Sequence, residues 1–69
     1  MHWYPTILEN QLRRRLDALF AAGGPRLFLA GETDTKSLLD ETGRPLFDRW
    51  LCLAELTSYI DSLFRSLDR

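Results

Sequence analysis

Cysteine is nearly absent from this chain: Cys52 stands alone, so no intramolecular disulfide can form and the covalent staple of small secreted domains is excluded. A reducing, cytoplasmic setting is the expectation. Histidine is equally scarce. His2 has no second histidine with which to build an acid–base or metal site, and Cys52 lies among apolar neighbours, where an inert buried thiol is expected. No apolar run approaches the roughly 18 residues of a membrane span, and Met1-His2-Trp3-Tyr4-Pro5 has no basic stretch followed by an apolar one. Charge of one sign is also lacking. Ten acidic and nine basic residues give a net charge of -1, which supplies no overall field to concentrate nucleic acid or anionic lipid.

The chain does hold 45% hydrophobic residues within 69, enough for one small domain spanning 1–69 and one core. Thr6 and Glu9 form a capping-box pattern after Pro5. Leu8, Leu12, Leu16 and Leu19 follow at helical spacing up to Gly23-Gly24-Pro25, which predicts a helix over 6–22. Arg13, Arg14 and Asp17 occupy its polar face. The short apolar run 26–30 is compatible with a strand or a helical segment. Thr33 and Asp34 ahead of Ser37-Leu38-Leu39, with Gly43 and Pro45 behind, predict a short helix near 34–42. From Leu46 to Arg69 no helix breaker occurs, so the last third reads as one long helix. The expected fold class is therefore all-α: an N-terminal helix, a short middle helix and a long C-terminal helix.

On that long helix Trp50, Leu53, Thr57, Ile60, Phe64 and Leu67 alternate three and four residues apart. Cys52, Leu56, Tyr59 and Leu63 form a neighbouring row. Together they make an apolar arc wider than one core contact needs, and a chain this short has few residues to cover it. The expectation is a homodimer, with the Trp50 row at its two-fold interface.

No reactive constellation emerges. Ala30 and Thr35 stand where a phosphate-binding loop needs glycines. The carboxylate pairs Asp40–Glu41 and Asp48–Glu55 are explained by helix-end and surface charge. An enzyme, a cofactor and a metal are not expected. A helix–turn–helix using 34–50 for DNA is the alternative reading, opposed by the apolar start Pro45-Leu46-Phe47 of its second helix and by the net charge. What remains is recognition of another, larger protein. Trp3 and Tyr4, the aromatics least needed by a core, and Arg13 and Arg14 are the candidate contact residues. Small helical chains of this type include regulators, anti-activators and phage-encoded inhibitors of proteins such as transcription factors or ATPases. An adaptor subunit of a larger assembly is the third reading.

Overall fold

The computed structural model describes residues 4–31 and 35–68, with α1 side chains described from Ile7 onward. The chain is α+β. It runs α1 (Tyr4–Ala21), β1 (Phe28–Ala30), β2 (Thr35–Leu39), β3 (Leu51–Cys52) and α2 (Leu53–Leu67). The strands form an antiparallel sheet in the order β1-β2-β3.

The first helix follows from its leucines. Leu12, Leu16 and Leu19 recur at four and three residues and are all buried. The helix already passes through Thr6, and the carboxylate of Glu9 goes to Lys36 and Arg13 rather than to a cap. Its end is set by the two glycines: Gly23 N–H donates to Phe20 C=O at 3.1 Å and Gly24 N–H to Leu19 C=O at 2.9 Å. This is the crossed pair of bonds of a Schellman close, and Gly23 takes the left-handed φ of +98° that it requires.

The all-α expectation is overturned in the middle third. The described residues 35–42 hold no helix: Thr35–Leu39 is the central strand, paired Leu29 to Leu38 and Ala30 to Ser37 on one side and Lys36 to Leu51 on the other. The stop signals at Gly43 and Pro45 bound a strand as well as they bound a helix. An apolar run of this length has no resolvable period, so the neighbouring strands decide. Asp40 then closes the turn, its Oδ1 accepting from Thr42 N–H, Thr42 Oγ1 and Arg44 N–H at 2.9, 2.6 and 3.0 Å. The outline of a helix–turn–helix disappears with the middle helix.

The long helix is shortened for a related reason. Pro45 bridges Leu39 and Leu51 pairs with Lys36, so the chain advances six residues beside only three of β2. The surplus bulges outward between 46 and 50. Helix α2 starts only at Leu53, where Glu55 Oε1 accepts from Cys52 N–H at 3.0 Å. Cys52, expected in the core, is exposed because strand alternation turns it away from buried Leu51.

Both helices lie on one face of the sheet, α1 toward β1 and α2 toward β3. Between the layers Leu12, Leu16, Leu19, Leu27, Leu29, Leu38, Leu51, Leu56 and Ile60 form a single core. The helices are joined at their rims by Arg15, which pairs with Asp61 and lies 5.1 Å from the Phe64 ring centre.

The glycine close of α1 is the most direct test of this chain path. Gly23→Ala should cost about 1 kcal/mol of unfolding free energy through its left-handed φ, although a Cβ there meets no atom within 4 Å. Urea titration measures it; an unchanged midpoint would show that the close does not constrain the helix end.

Candidate functional site

Only one face of the sheet is covered by helices. On the other face Phe28, Ala30, Ser37 and Leu39 lie side by side across β1 and β2. The 46–50 bulge overhangs them and leaves a groove of about 320 Å³ lined by Ala30, Ser37, Leu39, Pro45, Phe47 and Trp50, with Asp48 and Arg49 at its rim. Trp50 is 60% exposed and Phe28 is 49% exposed. Ser37 is only 8% exposed, and its hydroxyl has no hydrogen-bond partner among the described residues. A buried hydroxyl without a partner costs about 1–3 kcal/mol.

The bulge is held from below. Phe47 packs edge-on against Tyr59 of α2 with ring centres 5.0 Å apart, and Arg49 Nη2 donates to Glu55 Oε2 at 2.9 Å. Glu55 thus joins the bulge to the start of α2, and the Arg49 guanidinium with the Cys52 N–H holds its carboxyl down at about 2.

A second open feature is the outer edge of β1. Leu38 C=O accepts from Leu46 N–H at 2.8 Å and Asp40 N–H donates to Arg44 C=O at 2.9 Å, so Leu38 and Asp40 present their backbone groups to the 45–52 side. Leu29, the partner of Leu38, is therefore a non-hydrogen-bonded position whose N–H and C=O point away from the sheet. Arg13 Nη1 reaches across from α1 to donate to Leu29 C=O at 3.3 Å. A shallow cleft between Arg13, Asp17, Arg26 and β1 follows this edge.

Arg13 is held by Glu9 at 3.0 Å. Glu9 also meets the Lys36 ammonium at 2.7 Å, which lies beneath the helices on the core side of β2. The Lys36 hydrogen bond, then that of Arg13, lowers the Glu9 carboxyl below its ordinary 4.5. Arg26 pairs with Asp17 at 3.0 Å and stacks over Phe20 at 4.0 Å.

The candidate contact residues are scattered. Arg13 sits at the β1 edge, and exposed Arg14 makes no ion pair among the described residues. Trp3 and the side chain of Tyr4 lie outside the described residues. Of the row proposed for a dimer, Trp50 is exposed at the groove and Leu67 at the end of α2, while Leu53, Thr57 and Phe64 are half-buried and Ile60 is fully covered within the chain. Ser37, Phe28 and Leu39, which are not among the candidate contact residues, are brought together by strand pairing. Two residues of alternation around Ser37 would have been the only signal. Among the described residues no group of three His, Cys, Asp or Glu side chains is placed to hold a metal ion, and no helix is long and apolar enough to cross a membrane. No protein-family model matches the chain, and no similar curated protein or solved structure is found.

The polar contacts make two predictions. Glu9→Ala leaves Lys36 without its acceptor and should cost about 1–3 kcal/mol, and adding Lys36→Met should recover most of it, because the buried charge is removed with its partner. Urea unfolding of the single and double variants checks this; equal losses in both would show that the pair is not coupled. The second concerns acid. Folding depresses the carboxyls of Glu9, Asp40 (chiefly through the Thr42 hydroxyl) and Glu55, so each contributes stability that is full above its ordinary value and is lost as pH falls through the folded one. For Glu55 that window runs from 4.5 to about 2. Tm should therefore hold steady near neutrality and fall through this range, with a shallower fall in Glu55→Gln.

Proposed function

We propose that this protein is a non-enzymatic interaction module that binds a larger protein and inhibits or regulates it. The observation that supports this reading is the free edge of β1. Among the described residues Leu29 offers an unpaired N–H and a C=O met by Arg13 alone, and Phe28 beside it is half exposed. An extended segment of a partner can join such an edge as a fourth strand, gaining backbone hydrogen bonds along β1 while its side chains meet Phe28. Arg13 and Arg26 flank the edge and favour a segment carrying carboxylates, which the bidentate guanidinium fits well. Exposed Arg14, the next residue of α1, is a further contact candidate. Trp3 and Tyr4 are further contact candidates ahead of it. A transcription factor or ATPase is the kind of target such a small chain serves, by occluding a functional surface.

Capture from bacterial lysate with and without nuclease, followed by mass spectrometry, tests the reading. A nuclease-resistant partner should be retained by the wild type and lost, by at least tenfold in affinity, from Arg13→Glu. Circular dichroism should show that this variant remains folded. Undiminished capture by folded Arg13→Glu would rule out the β1 edge, and capture abolished by nuclease would replace a protein partner with a nucleic acid.

A further inference from the structure

We propose that the groove over Ser37 receives Trp50 from a second copy of this chain, so that two copies exchange tryptophans across a two-fold axis. The inference does not rest on the partner reading, since it uses the outer face of the sheet and leaves the β1 edge free.

Three observations converge on a second copy. First, the groove and the side chain that suits it lie on the same surface. Trp50 stands at the lip, 60% exposed, beside an apolar hollow of about 320 Å³ that has room for one indole. A surface carrying both knob and hole is self-complementary under a two-fold axis. Second, the hollow contains a polar group in need of a partner. Ser37 is more than nine-tenths buried and its hydroxyl is unpaired among the described residues. The indole N–H is a donor only and the serine oxygen, closed off in the single chain, is an acceptor, so a tryptophan seated deeply enough to uncover it satisfies both.

Third, the charges agree. Asp48 and Arg49 are adjacent at the rim and opposite in sign. A two-fold axis beside Trp50 brings Asp48 of each copy toward Arg49 of the other, and a net charge of -1 opposes association only weakly. A small molecule in the hollow would leave Trp50 exposed, whereas a second copy covers the hollow, Trp50 and Leu39 together. An ordinary interface takes about 800 Å² from each partner, about a sixth of the 5031 Å² surface of this chain.

The test is sedimentation equilibrium of the full chain from about 1 µM to about 1 mM, together with fluorescence of the Trp3→Phe form, in which Trp50 is the only tryptophan. The expected result is a monomer–dimer equilibrium, with Trp50 emission moving to shorter wavelength as the dimer forms. Trp50→Ala should weaken dimerisation at least tenfold. Ser37→Val, which keeps the volume and removes the hydroxyl, should weaken it several-fold, with melting curves confirming that both variants fold. A monomer over the whole range overturns the proposal, as does a dimer that Trp50→Ala leaves unchanged. A shift in Trp50 emission only on addition of a different protein, or a small molecule retained in native mass spectrometry, assigns the groove to another occupant and also overturns it.

Discussion

A chain of 69 residues with eight leucines and one isoleucine in its buried core has apolar material for a single layer, and that layer sits between two helices and one face of a three-stranded sheet. Everything else in the structure depends on this constraint. Strand alternation turns Leu29, Leu38 and Leu51 inward, and the same alternation turns Phe28, Ser37, Leu39 and Cys52 outward. No helix remains to cover that second face. The 46–50 bulge overhangs part of it and in doing so creates the groove, the exposed tryptophan and the buried hydroxyl of Ser37, unpartnered among the described residues.

Polar interactions fix the arrangement more than they strengthen it. The Lys36 ammonium lies beneath α1 and is tolerable only because Glu9 meets it there, which ties the register of the helix to the central strand. Glu55 performs a similar service at the other end, capping α2 at Cys52 and holding Arg49 of the bulge. Asp40 gathers three donors to close the turn between β2 and the returning chain. The exposed contacts of Glu55 and Asp40 contribute modestly to stability in water. Their effect is to select one packing among several that the leucines alone would permit.

The edge of β1 and the outer face of the sheet call for different chemistry. The edge of β1 presents backbone groups bordered by arginines, suited to an extended segment with carboxylates. The sheet face presents an aromatic knob beside an apolar hollow, suited to its own copy. Because one is an edge and the other a face, both can be occupied at once. A dimer built on the face would display two β1 edges, and a larger partner with paired segments would bind it with the gain that linked sites provide.

The first helix was legible because its information is local: Leu12, Leu16 and Leu19 repeat within one element and Gly23-Gly24 end it, so period and stop agree. The exposure of Arg13 and Arg14 followed from that same period. The single core and the lack of any disulfide were determined by composition. The strands were not legible. Thr35–Leu39 gains its conformation from Phe28–Ala30 and Leu51–Cys52, partners remote in sequence, and five residues bounded by turn formers suit a helix or a strand equally. An unbroken helix from Leu46 would put Trp50 and Ile60 on one row, although one is exposed and the other fully covered, and nothing in the local pattern marks Ser37 as the floor of a groove. The sequence by itself determined how much could be buried and where the first helix ends; only the tertiary structure decided which face of residues 28–52 was buried, because a strand's partners, unlike a helix's, lie elsewhere in the chain.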